Sequence, residues 1–281
     1  YIHCLYAEQD LDLTNRIYTE VQQLRDRIHK RYEFGYSNDL DLSFANIMAE
    51  RWYIEYTKAQ TTRDNAYAKL DHILGIRPRQ YTYKLTQTFT IDNLSIPQYE
   101  HVQEYAYFNR PEIQAYEAYL NQYQSQKRFE QANVFPEVAV GVSFEKELSG
   151  EHLRGPALSF DIPFFDANQA HISQAEFLYR KTQKELKNLY LTIDTELAPR
   201  INTLHMLADA IDRFNTTIQK EIAHGTEYAE HYGKKKRLNM VTVLQTRISF
   251  YETEREHLAR VRDAWLTISD LERIAGKDVE C

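Results

Sequence analysis

The sequence predicts a mainly α-helical fold of long antiparallel coiled-coil hairpins with one inserted β-hairpin. Three observations carry that prediction. Apolar residues recur at alternating steps of four and three, as at Leu13, Ile17, Val21, Leu24 and Ile28, which is the stripe of an amphipathic helix with a coiled-coil seam. The period changes to two over residues 138–164, the spacing of a strand pair with two different faces. A loop-and-return pattern also occurs twice, at Gly35-Tyr36-Ser37-Asn38-Asp39-Leu40-Asp41 and at Gly233-Lys234-Lys235-Lys236-Arg237-Leu238-Asn239. Each return stretch closes on Leu-x-x-Ile-x-Gly, at Leu70 to Gly75 and at Leu271 to Gly276. The opening glycines are 198 residues apart and the closing ones 201, a slip shorter than one turn that a long helix can absorb. The chain reads as a duplicated helical hairpin.

The elements follow in order. Residues 1–33 form the first helix, and Gly35 supplies a left-handed cap before Asn38 or Asp39 caps the next. Residues 40–74 form the return helix, with Ile47, Trp52, Ala59, Ala66, Leu70 and Ile73 on its apolar positions, ended by Gly75 and Pro78. Residues 79–108 lose the period and read as a connector that wraps. Helix resumes at Arg110-Pro111-Glu112, with proline in the first turn where its missing N–H costs nothing, and runs to about Val134. Val138, Val140, Val142 and Phe144 then alternate with Ala139, Gly141, Ser143 and Glu145. After a polar turn near Ser149-Gly150, Leu158, Phe160, Ile162 and Phe164 alternate with Ala157, Ser159 and Asp161. From Asp166 to about His231 the only strong breaker is Pro199, which predicts a kink or a junction between stacked helices. That segment would extend roughly 100 Å, too long for a compact globule of this size. Residues 239–275 form the last helix, on Leu244, Ile248, Leu258, Val261, Trp265, Ile268 and Ile274. The resulting organisation is a first helical hairpin at 1–78 (tip near 35–40), a connector at 79–109, and a second repeat at 110–281. The second repeat holds a β-hairpin at 136–165 and a tip near 233–238.

Composition narrows the function classes. With 8 Gly and 7 Pro in 281 residues, a loop-rich or all-β protein is excluded. Mean hydropathy is −0.62, and no apolar run approaches the roughly 18 residues a spanning helix needs. A formal charge of −7 argues against nucleic acid as a partner. Cys4 and Cys281 sit at the two ends and cannot form a disulfide framework; Cys4 reads as a helix-face residue. The chain begins inside a helical pattern, so a preceding segment is expected. No nucleophile, phosphate loop or cofactor motif appears, and an enzyme is not expected. The 10 histidines are scattered without ligand spacing, so no metal site is expected either.

The hairpin has two readings by itself: a sheet packed on a helical core, or a barrel wall with lipid on one face and water on the other. Helices too long for a globule favour the wall. Arg110-Pro111-Glu112-Ile113, Phe135-Pro136 and Gly155-Pro156-Ala157-Leu158-Ser159-Phe160-Asp161-Ile162-Pro163-Phe164-Phe165-Asp166 resemble the second repeat of TolC-type outer-membrane efflux proteins. Residues 165–175 and 262–276 resemble more narrowly the heavy-metal branch of that family, the Czc- and Cus-type channels.

The resemblance implies a homotrimer in a Gram-negative outer membrane. Its pooled strands would form a β-barrel and its pooled helices a long periplasmic α-barrel. It also implies a periplasmic adaptor and an inner-membrane pump as partners, contact with outer-membrane lipid, and no cofactor. Gly35, Leu40, Asp41, Gly233, Lys234, Lys235, Lys236, Arg237, Leu238 and Asn239 would lie at the adaptor-facing aperture, where Asn239 replaces the family's usual Asp. Ser143, Glu145, Ser159 and Asp161 would line the barrel lumen. The family supplies four strands per protomer, whereas one hairpin is present here. Asp41 reads equally as a lumen acid and as a first-turn acid favoured by the helix dipole. Lys234 to Arg237 read as an adaptor-docking or cation-repelling patch, or as a solvated loop. A periplasmic adaptor and a coiled-coil scaffold are the alternative functions.

Overall fold

The computed structural model describes residues 1–77, 84–86, 89–91, 94–135, 138–148, 150, 152–160, 167–234 and 239–276; the side chains of 153 and 230–234 lie outside that description. The elements are α1 (Ile2–Glu33), α2 (Asp39–Ile73), α3 (Tyr99–Asn109), α4 (Pro111–Ala132), β1 (Val138–Lys146), β2 (His152–Phe160), α5 (Gln169–Arg213), a π-helical turn (Phe214–Ile218), α6 (Gln219–Lys234) and α7 (Met240–Ala275). The fold is mainly α. Its residues group into two units, one of Tyr1–Gln98 with Ala198–Arg273, the other of Tyr99–Leu197 joined by Ile274, Ala275 and Gly276.

The first unit is built on the seam that the four-three spacing predicts. Leu13, Ile17, Val21, Leu24 and Ile28 of α1 are all buried, against Ala45, Ala49 and Trp52 of α2, Ala229 of α6 and Met240, Val243, Leu244 and Ile248 of α7. Helices α1 and α2 run antiparallel: Tyr18 packs on Tyr53 and Tyr56 with ring centroids 5.7 and 5.6 Å apart, while nearer the other end Tyr67 donates to Glu8. Helix α2 departs from the predicted stripe. Ile47 and Ile73 are exposed, and the buried apolar positions are Ala45, Ala49, Trp52 and Ala59. Both sides of α2 carry an apolar period, and the small side chains win because they let the backbones approach closely. The larger ones, Leu40, Ile47 and Ile54, repeat every seven residues and are left 77%, 61% and 63% exposed.

Two further expectations are refined. At Pro199 there is no junction between separate helices, since α5 runs through it to Arg213, and a π-helical turn follows at Phe214–Ile218. The connector is not wholly irregular, because α3 occupies Tyr99–Asn109. Within the same stretch, Phe89 is buried and meets Tyr6 edge-on at 6.4 Å.

In the second unit, Asp194 of α5 accepts hydrogen bonds from Gln103 Nε2 and Tyr107 Oη of α3, each at 2.7 Å. Burial, reinforced by that bond to Asp194, pushes the Tyr107 phenol up to about 12. Strands β1 and β2 pair antiparallel, with Val140 opposite Leu158 and Ser143 opposite Gly155. The base of this hairpin is tied by Asn168, whose Nδ2 donates to the Glu130 carbonyl at 2.9 Å and to its carboxylate at 2.7 Å.

Gly35 takes φ +74°, with nothing within 4 Å of the position a Cβ would occupy. Gly35→Ala is therefore expected to cost only backbone strain, about 1 kcal/mol. Thermal unfolding should show a small downward shift, and Gly35→Asn should recover part of it.

Candidate functional site

The first tip is a hydrogen-bonded cap. Asn38 Oδ1 accepts from the Asp41 N–H at 2.8 Å, and the Asp41 carboxylate accepts from Ser37 Oγ at 3.0 Å, a reciprocal closure akin to a capping box. Asp41 thus has a local role at the start of α2. Asp39 accepts from the Tyr32 hydroxyl, and that bond raises the Tyr32 pKa. Around the cap, Phe34, Tyr36 and Leu40 are 75%, 69% and 77% exposed. Sequence reasoning singled out Leu40 but passed over the two aromatic residues beside it.

At the second tip, Asn239 Oδ1 accepts from the Val241 N–H at 3.0 Å and caps α7. Gly233 and Lys234 lie in the last turn of α6, and Lys235, Lys236, Arg237 and Leu238 fall outside the described residues. The helix ends give the duplication one uniform offset. Glu33 and Lys234 end the outgoing helices, Asn38 and Asn239 cap the return helices, and Gly75 and Gly276 close them, all 201 residues apart. No three-residue slip is needed inside a helix. Gly233 is a helical residue rather than the counterpart of Gly35, and Asn239 matches Asn38 rather than Asp41.

Two ionic networks bind the hairpins together within the first unit, and neither was identified from the sequence. Arg255 of α7 donates Nε and Nη2 to the two carboxylate oxygens of Asp10 at 2.6 and 3.1 Å, and Nη1 to Glu55 of α2 at 2.8 Å. The Asp10 side chain is only 5% exposed. Hydrogen bonding to Arg255 pulls the Glu55 carboxyl below its usual range, and Arg255 is held more firmly protonated by its bond to Asp10. Farther along, Arg247 reaches Glu20 at 2.5 Å, and Tyr251 donates to the same carboxylate. Burial, then that bond, pushes Tyr251 up to about 12. Arg51 and Glu252 add an exposed pair at 3.6 Å. A signal was present: Asp10 continues the α1 seam three residues before Leu13, and Arg255 lies three residues before Leu258 in the α7 seam. Charges in an apolar stripe require partners.

On the β-hairpin, Ala139, Gly141, Ser143 and Glu145 share one face with Ala157 and Ser159, since Ser159 stands opposite Ala139 and Gly155 opposite Ser143. Asp161, predicted for the same face, falls outside the described residues. The other face carries Val138, Val140, Val142, Phe144, Leu158 and Phe160, all exposed, with Val140 at 80%. Arg154, paired with Phe144, lies 5.8 Å above its ring. Among the described residues, this hairpin does not pack on a helical core. Among the described residues no helix is long and apolar enough to cross a membrane, and no group of three potential ligands is placed to hold a metal ion.

The comparisons with known proteins agree with this geometry. The fold is similar to the open-state MtrE outer-membrane channel of Neisseria gonorrhoeae, with a TM-score of 0.75 and 17% identity over the whole chain. It is also similar to the CmeC outer-membrane channel of Campylobacter jejuni, with a TM-score of 0.75 and 14% identity over 100% of the chain. For CusC, described by its transmembrane channel formation, the values are 0.70 and 19% over 99%. The chain spans 65%, 62% and 66% of those three chains. No curated protein sequence matches it. Residues 104–277 match the model of the outer membrane efflux protein family, more than half of the chain, and the protein belongs to that family.

Proposed function

We propose that this chain is the duct-forming part of the outer-membrane channel component of a tripartite efflux system. The observation that carries the reading is the two-sidedness of the β-hairpin. One face is exposed and apolar from Val138 to Phe144 and from Pro156 to Phe160, with Arg154, Lys146 and His152 at its turn end; the other is small and polar, and the pair is spliced into long helices. An isolated two-stranded ribbon is marginal in water, whereas pooled with other strands it closes a wall with lipid outside and water inside. In this reading three copies pool their hairpins into the barrel and their helices into a periplasmic conduit. The exposed heptad stripe of Leu40, Ile47 and Ile54 supports such pooling, because it is a seam without an occupant in one protomer.

The role is passive conduction from periplasm to exterior, without catalysis. Ser143, Glu145, Ser159 and Asp161 would face the lumen. Gly35, Leu40, Asp41 and the segment from Gly233 to Asn239 would form the adaptor-facing aperture, with Lys234 to Arg237 presenting positive charge to an acidic partner surface. The resemblance of residues 165–175 and 262–276 to heavy-metal channels makes metal ions the favoured cargo over other small toxic compounds. The domain reading of a helical hairpin at 1–78, a connector at 79–109 and a second repeat at 110–281 is retained as the unit of that assembly.

Full-length protein purified from membranes in detergent is expected to run as a trimer and to give ohmic conductance in planar bilayers. A monomer recovered without membrane fractionation would sink the proposal.

A further inference from the structure

His257 is a buried titratable group that the duct reading does not use. Its ring lies flat on Phe214, with centroids 3.8 Å apart and planes within 8°. Its Nδ1 is buried and has no hydrogen-bond partner among the described residues. Phe214 opens the π-helical turn, where the Gln219 N–H donates to the Phe214 carbonyl five residues back. Such a turn is rare within α-helices and is found frequently at functional sites. Thr216 Oγ1 bonds the Asp212 carbonyl at 2.8 Å in the same turn, a contact that bends helices. A little farther on, a Cβ at Gly225 would stand 2.5 Å from the Phe250 ring, so α6 and α7 are closely apposed beside the turn.

We propose that His257 and the π turn Phe214–Ile218 form a proton-operated joint between α7 and the α5–α6 helix. In the neutral state the imidazole lies on Phe214 and holds the π turn. A proton taken up at Nδ1 creates a buried charged donor with nothing to receive it, so the ring moves toward water, Phe214 is released, and the turn relaxes. A cation over the Phe214 face gains cation–π attraction, but the new N–H lies in the ring plane, where stacking supplies it no acceptor.

The charges around the joint do not help the imidazolium. Arg260, one turn along α7 and paired with Glu256 at 3.1 Å, acts against it. On the facing helix, the charged residues next to Phe214 are Arg213 and Asp209, which pair at 3.0 Å, and Asp212. Burial, then Arg260, lowers His257 from 6.5 to about 4. The sign follows: the folded chain binds this proton less readily than the unfolded chain, so the closed joint is fully favoured above pH 6.5 and is lost as pH falls through about 4. As a regulator, the joint rests on the duct reading, since it would let an acidified periplasm loosen the second hairpin above its tip.

The test is amide hydrogen exchange by mass spectrometry on the full-length protein, corrected for intrinsic pH dependence. Protection of residues 214–222 is expected to fall at least about tenfold between pH 7 and pH 4, with residues 13–28 unchanged. In His257→Phe, which keeps a stacked ring but cannot titrate, protection should stay within twofold across that range. In Phe214→Ala it should be low already at pH 7. A wild-type response equal to that of His257→Phe, or no response in either, overturns the proposal. Bilayer conductance separates the two readings: its absence at every pH defeats the duct while leaving the exchange result to decide the joint.

Discussion

Arg255→Ala is expected to lower the unfolding free energy of the helical unit by about 3 kcal/mol. The reason is the state in which it leaves Asp10. That carboxylate is 5% exposed on the α1 seam, and Arg255 supplies both of its strong donors. Removing the arginine leaves a charge that neither water nor another cation can satisfy. The figure is taken at the low end of the range for a broken buried pair, because Arg255 and Glu55 remain 25% and 27% exposed and water screens that limb. Replacing the three groups together, as Asp10→Leu, Glu55→Leu and Arg255→Met, should be within about 1 kcal/mol of wild type or more stable. Urea unfolding followed by far-ultraviolet circular dichroism distinguishes these outcomes. A loss below about 1 kcal/mol for Arg255→Ala would mean that solvent reaches Asp10. The networks matter for more than stability. They tie α7 of one repeat to α1 and α2 of the other, so any rearrangement that separates the hairpins must first break them.

Val140→Arg is the second large effect, and Ser143→Arg is its control. Both positions lie on β1, three residues apart, on opposite faces of the ribbon. If Val140 meets the hydrocarbon, an arginine there costs about 2–4 kcal/mol per protomer near the bilayer midplane. Three copies in one barrel multiply the penalty, and membrane-inserted trimer should be lost. In the proposed duct, Ser143→Arg places the same charge in the aqueous lumen. It should insert normally and change single-channel conductance and ion preference instead. Equal insertion of both variants would argue that the hairpin lies outside the bilayer.

The contrast between these residues shows what a sequence can display. The hairpin's two faces were legible because strand periodicity is exact, so every second residue shares a face whatever the neighbours do. The α1 seam was legible for a related reason: five large apolar residues leave one orientation for the helix. Helix α2 was harder, because apolar residues occupy two of its sides and only close approach to α1 chooses Ala45 and Ala49 over Ile47. The π turn left no readable mark, since its cause is a partner ring on α7, and Pro199 was the more visible candidate for an irregular turn. The repeat offset was misjudged by three residues for a similar reason. Gly233 resembles Gly35 in its local context, but hydrogen bonding places it inside α6 and gives capping to Asn38 and Asn239.

By itself, the sequence determined that this protein is a set of long amphipathic helices in duplicate with one two-faced strand pair, because apolar periodicity and glycine and proline placement are properties of the local chain. Only the tertiary structure decided which polar residues meet. Asp10 finds Arg255 across 245 positions, and His257 of α7 finds Phe214 of the π turn. Such pairings depend on how helices turn about their axes and slide past one another. That geometry is set by the sum of many weak side-chain contacts, and no single stretch of sequence contains it.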